Sequence, residues 1–116
     1  LHHVTGGVHG DLVIGPDFRI GLKTAGPSFA EKSLSKGALD QLYLSLRIAL
    51  VRFLCADREA VPLLFDDPFA NYDDQRLRAA MELLCDVGER HQVLLFTCRE
   101  DVATVATELG APVLAL

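Results

Sequence analysis

The sequence predicts an α/β fold: a β-hairpin followed by helices alternating with parallel strands. Three observations predict it. Short continuous apolar runs, "VPLLFD" (61–66), "QVLLFT" (92–97) and "PVLAL" (112–116), alternate with segments of helical periodicity. That alternation is the mark of a parallel sheet with both faces covered. A long apolar stretch from Ala38 onward has helical spacing, and two short apolar segments flank Gly15-Pro16-Asp17 near the front. At 116 residues, half of them apolar, the chain has the length of one domain or part of one.

In order along the chain, "DLVIGPDFRIGLKT" (11–24) reads as strands near 11–14 and 18–23 around a Gly-Pro-Asp turn. The residues through Lys36, with Gly26-Pro27-Ser28 and scattered charges, read as a loop. From Ala38, Leu39, Leu42, Tyr43, Leu46, Leu50, Phe53 and Leu54 recur at helical spacing. Leu44, Ile48 and Val51 fill a second face, so this helix is expected to be apolar nearly all round and central. A middle helix over about 73 to 88 shows Leu77, Ala80, Met81 and Leu84 on one face. Asp73 and Asp74 stand at its positive N-terminal end. The last helix, about 99 to 109, has Thr97 and Glu100 at capping-box spacing and Gly110 and Pro112 beyond its end. No repeat, low-complexity tract or linker divides the chain.

A net charge of −5 argues against a surface that grips nucleic acid or anionic lipid all over, although a local basic patch is compatible with it. Arg47 and Arg52 interrupt the longest apolar run, so no membrane span is expected. Nor does "LHHVTGG" look like a signal peptide. Cys55, Cys85 and Cys98 are odd in number, lack Cys-x-x-Cys spacing and lie in or beside apolar runs, which predicts reduced core thiols in a cytoplasmic protein. His2, His3, His9 and His91 have no zinc-like spacing.

Two stretches carry chemistry. "VPLLFDDPFANYDD" puts Asp66 and Asp67 where a buried strand runs out, the place at which parallel sheets bind ligands. One carboxylate can hold Mg²⁺ through water while the other orients a nucleophilic water for phosphoryl transfer. The alternative is a turn at Asp67-Pro68 with Asp66 as a helix cap. In "SLSKGALDQLYLSLRIAL" (33–50) a Ser-Lys-Gly turn runs straight into the apolar helix. Free N–H groups and the Ser35 hydroxyl at the positive end of the helix dipole suit a phosphate, and Gly37 lets the backbone come close. The alternative is that Ser35 is a plain N-cap.

The order and spacing of "LSKGALDQLYLSLRIAL", "VPLLFDDPFANYDDQR" and "QVLLFTCRED" resemble the C-terminal half of an ABC-type ATPase head, of the SMC-like and YhaN-like kind. The likeness runs from about Thr5 to the end. It implies the C-terminal lobe of a P-loop NTPase-like head, with ATP and Mg²⁺ held between two heads of a homodimer. By the resemblance, Ser35, Lys36 and Gly37 fall on the signature turn that contacts ATP on the opposite head. Asp66 falls on the Walker B carboxylate that serves the metal, and Asp67 on the adjacent catalytic carboxylate. Asn71, Tyr72 and Asp73 fall on the D-loop. Arg47 falls on a basic position that couples ATP binding to movement of attached coiled coils, the other reading being a snorkelling arginine.

The sequence also departs from that pattern. Asp67 replaces the usual Glu and reaches one methylene less far. Arg99 stands where the family carries its switch histidine; it can donate to phosphate charge but cannot accept a proton, and it reads equally as a solvated arginine. No Gly-x-x-x-x-Gly-Lys-Ser/Thr run is present, and "GLKTAGPS" has its glycines and lysine in the wrong order. The cradle is therefore expected on an N-terminal lobe, upstream or on another chain. The resemblance implies an ATPase acting on DNA in repair or chromosome organisation once that lobe is joined. Two other functions are compatible with these residues: a non-hydrolysing regulatory or structural lobe, and a small domain cleaving nucleic acid through Asp66, Asp67 and a metal.

Overall fold

A computed structural model describes residues 35–116 in full and the backbone of residues 11–14, 20–23 and 29–30. The elements are β1 (Asp11–Ile14), β2 (Ile20–Lys23), β3 (Phe29–Ala30), α1 (Lys36–Leu54), β4 (Leu63–Asp66), α2 (Asp74–Gly88), β5 (Val93–Phe96) and α3 (Glu100–Glu108). β1 and β2 pair antiparallel, Asp11 opposite Lys23 and Ile14 opposite Ile20, as a hairpin requires. β3 adds to β2 with Leu22 opposite Phe29, so the segment read as loop contributes a third strand. Two residues are too few to leave a periodic signal. The Gly-Pro-Asp turn, Gly26-Pro27-Ser28, His2, His3 and His9 lie outside the described residues.

The site is positioned by the unit β4–α2–β5–α3. β4 and β5 pair parallel with Leu63 opposite Val93 and Asp66 opposite Phe96. The ladder continues one residue past the strands, where Asp67 N–H donates to the Phe96 carbonyl at 2.7 Å. Side chains alternate along each strand. Leu63, Phe65, Val93 and Leu95 pack on a core of Phe69, Leu77, Ala80, Met81, Leu84 and Val102, whereas Leu64, Leu94 and Phe96 are exposed. Among the described residues one face of this sheet is covered, not both.

The helices keep the expected order but differ in detail. α1 buries Gly37, Ala38, Gln41, Leu42, Leu44 and Ile48, while Leu50, Phe53 and Leu54 in its last turns are exposed. It is thus one-sided rather than buried all round. α2 begins where expected because Asp73 caps it, accepting from Arg76 N–H at 2.8 Å. The capping box of α3 does not form: its N-cap is Arg99, and the Thr97 hydroxyl is engaged elsewhere, as described below. α3 ends on Gly110 in the left-handed region, φ +80°. Gly110 N–H reaches the Thr107 carbonyl and Ala111 N–H the Ala106 carbonyl, a Schellman closure for which glycine is suited.

Residues 112–116 are not a strand. Leu114 and Leu116 are exposed, and an apolar run becomes a strand only where a neighbour accepts its hydrogen bonds. Of the three thiols Cys55 is buried, Cys85 half-buried and Cys98 exposed, all unpaired, so only Cys55 is a core thiol. No helix among the described residues is long and apolar enough to cross a membrane.

Candidate nucleotide-facing site

The carboxyl ends of β4 and β5 release two adjacent loops, residues 67–73 and 97–99, and these loops hold Asp67, Asn71, Tyr72, Asp73 and Arg99 of the residues singled out by sequence. Asp67 opens the first loop in the left-handed region, φ +43°. That conformation costs an L-residue about 1–2 kcal/mol, least for Asp and Asn, and is held here from two sides. Its N–H is fixed to β5, and Thr97 Oγ1 donates to Asp67 Oδ1 at 2.9 Å. The same hydroxyl accepts from Arg99 N–H at 3.1 Å. Asp66, at the end of β4, is exposed and has no protein partner among the described residues.

Arg99 is turned onto its own chain. Its guanidinium donates to the Phe69 carbonyl and grips Asp101, with Nε on Oδ1 at 3.0 Å. The hydrogen bond to Asp101 lifts the Arg99 pKa further above its ordinary value and holds the Asp101 carboxyl below its own. Phe69 is the most deeply seated residue of the loop, and its ring packs on Tyr72 at a centroid distance of 5.1 Å. Burial, and then the charge of Asp40, push the Tyr72 hydroxyl well above its usual pKa.

The 67–73 loop also joins the start of α1. Ser35 is the N-cap, its Oγ accepting from Ala38 N–H at 3.2 Å, which leaves its proton to donate outward. Cap and phosphate donor are therefore compatible readings of one hydroxyl. Gly37 is buried, and a Cβ on it would stand 2.8 Å from the Asn71 carbonyl oxygen. Its smallness is used for close approach of the Ser35–Gly37 turn to the 67–73 loop of the same chain. Asn71 Nδ2 donates to Asp40 Oδ2 at 2.8 Å, and Arg76 Nε to Gln41 Oε1 at 3.1 Å. Asp73 is occupied as the cap of α2 and pairs with Arg76. Lys36 is exposed at the first position of α1.

Ser35, Gly37, Asn71 and Asp73 are thus brought together, and Asp66, Asp67 and Arg99 gather at the other end of the same loop. Arg47 is not among them. It lies exposed ten residues beyond Gly37 on α1, about 15 Å along the axis. Thr97, Asp101, Asp40, Gln41 and Arg76 escaped the sequence reading. Thr97 was legible only as a cap, and the buried Gln41 was a polar interruption in an apolar stripe.

Among the described residues no group of three or more His, Cys, Asp or Glu side chains could hold a metal. Mg²⁺ needs less: it keeps several waters and takes one or two carboxylates beside phosphate oxygens. The free carboxylate of Asp66 fits that demand.

No family model matches the sequence. The chain is 35% identical over 78 residues to the uncharacterized protein YhaN of Bacillus subtilis (strain 168), a match that covers 66% of this chain and 8% of that protein. A chain from structural work on ATP-driven dimerization and DNA-stimulated activation of SMC ATPases superposes with a TM-score of 0.65 at 20% identity. That match covers 82% of this chain and 60% of the other. An SMC head bound to the C-terminal winged-helix domain of ScpA gives a TM-score of 0.63 at 22% identity, covering 81% of this chain and 30% of that one. The mixed α/β architecture matches that of the SMC heads, and the sequence is similar to YhaN. The chain is thus YhaN-like in sequence and SMC-head-like in fold.

Proposed function

We propose that this chain is the C-terminal lobe of an ATP-hydrolysing head, carrying the signature turn, Walker B, D-loop and switch positions. It works when joined to an N-terminal lobe that bears the Walker A cradle. The observation that carries the reading is the convergence of the Ser35–Gly37 turn, Asp66, Asp67 and Arg99 on one loop at the carboxyl ends of parallel strands, within the fold of an ATPase head. The uncovered face formed by Leu64, Leu94 and Phe96 supports a missing neighbour of apolar character, as an adjoining lobe is.

Mg-ATP bound between two such heads supplies the phosphoryl group and an electrophilic metal. This chain supplies the rest. Asp66 offers its carboxylate to the metal's water shell, and Asp67 orients the attacking water. The Ser35 hydroxyl and the N–H groups at the start of α1 receive phosphate charge from the opposite head. One of the two SMC neighbours comes from work on ATP-driven dimerization and DNA-stimulated activation. We extend both properties to the protein containing this chain, as a homodimer acting on DNA, with Arg47 coupling the head to attached coiled coils.

The test is Asp67→Asn in the head assembled with its Walker A lobe. It should keep ATP-dependent dimers and lose turnover; undiminished turnover removes Asp67 from the catalytic role. Arg99 favours a second reading. Because its guanidinium is committed to Asp101 and to the Phe69 carbonyl, the lobe would sense ATP and change shape without hydrolysing it. In that case the assembled head binds ATP yet releases no phosphate above background.

A further inference from the structure

We propose that Thr97 is the positioning residue that aims Asp67, an inference that rests on Asp67 being the carboxylate that orients water. A threonine hydroxyl has one proton to give. Here its oxygen already accepts from Arg99 N–H at 3.1 Å, which sets the direction of the remaining proton, and that proton goes to Asp67 Oδ1 at 2.9 Å. The carboxylate is thereby held by one oxygen, while Oδ2 has no protein partner among the described residues and is left for water.

The backbone makes the same case. Asp67 is the only non-glycine residue with positive φ among the described residues, and it is pinned to β5 through its own N–H. An unfavourable conformation maintained by bonds on both sides is expected where a side chain must point in one direction. Aspartate is also a methylene shorter than the glutamate it replaces, so its carboxylate has less room to correct a misplacement. Thr97 belongs to the loop that carries Arg99, so one hydroxyl ties the switch position to the water-orienting group.

The experiment compares Thr97→Val, which removes the hydroxyl at constant volume, with Thr97→Ser, which keeps it and removes the methyl, in the head assembled with its Walker A lobe. Thr97→Val should lower kcat about 10- to 100-fold with KM for ATP little changed. ATP-dependent dimers, followed by sedimentation, should persist. Hydrogen exchange at the Arg99 amide should accelerate, since its acceptor is gone. Thr97→Ser should recover most of the lost turnover and the slow exchange.

Full turnover in Thr97→Val beside an inactive Asp67→Asn overturns the role of Thr97 and leaves that of Asp67 standing. A Thr97→Ser variant as impaired as Thr97→Val also overturns it, because packing of the methyl would then be what matters. Full turnover in Asp67→Asn, or a parent head that binds ATP without turnover, overturns the catalytic reading and this inference with it.

Discussion

The two faces of the β4–β5 sheet are built from the same kinds of residue and meet opposite fates. On one face Leu63, Phe65, Val93 and Leu95 are packed beneath α2 and α3. On the other, Leu64 is 66% exposed, Leu94 39% and Phe96 47%. Strands of all-parallel sheets are commonly apolar and covered on both sides, so among the described residues the open apolar face is the departure from that pattern. The end of α1 repeats the contrast, with Ile48 buried and Phe53 78% exposed. The lesson is that an apolar sequence specifies a need for cover, whereas which apolar residues receive it is set by the tertiary arrangement.

The sharpest test of this contrast uses one substitution at two leucines. Leu77→Ala, beneath the sheet at 1% exposure, should destabilise the 116-residue chain by about 2–5 kcal/mol in urea unfolding. Leu64→Ala should stay within about 0.5 kcal/mol in that chain. Equal effects would break the comparison by showing that the second face is already buried.

Gly37→Ala probes the covered region where it has least room. Its new methyl would sit 2.8 Å from the Asn71 carbonyl oxygen, a backbone atom that cannot step aside freely. A loss of about 1–3 kcal/mol is expected, with altered amide shifts on the 67–73 loop in NMR spectra. Unchanged shifts would mean that α1 and the loop are not fitted together.

At the exposed rim the stakes fall. Asp73→Ala removes the cap of α2 and should cost about 1 kcal/mol, with the loss seen first as fraying of residues 74–77 in hydrogen exchange. The Arg99–Asp101 pair should matter least to stability, being at the surface. Because Arg99 depresses the Asp101 pKa below 3.8, the contribution of the pair is present above that pH and fades as the pH falls through the lower folded value. A carboxyl titration followed by NMR should show the low midpoint, and Arg99→Ala should return it towards 3.8. Were the midpoint unmoved by that substitution, Arg99 would be free to point elsewhere.

The division between what was legible and what was not follows the range of the interactions. The runs at 63–66 and 93–96, the capped start of α2 and the glycine end of α3 were legible, because periodicity and capping act over a few residues. The carboxylates of Asp66 and Asp67 were legible for the same reason: a strand end followed by proline is a local signal. Thr97 misled because its spacing to Glu100 fits a capping box, while a better partner, Asp67, lies 30 residues away in sequence and 2.9 Å away in space. Residues 112–116 misled because five apolar residues satisfy the pattern of a strand without supplying the ladder that makes one.

By itself, then, the sequence determined the order of β4, α2, β5 and α3, the capped start of α2, the glycine end of α3 and the presence of acids at a strand terminus, all written in nearest neighbours. Only the tertiary structure decided which face of the sheet is covered, that Gly37 is small for the sake of Asn71 and that Arg99 folds back on Phe69 and Asp101. Those outcomes depend on which distant segments the chain brings within hydrogen-bonding reach, and no local pattern encodes that distance.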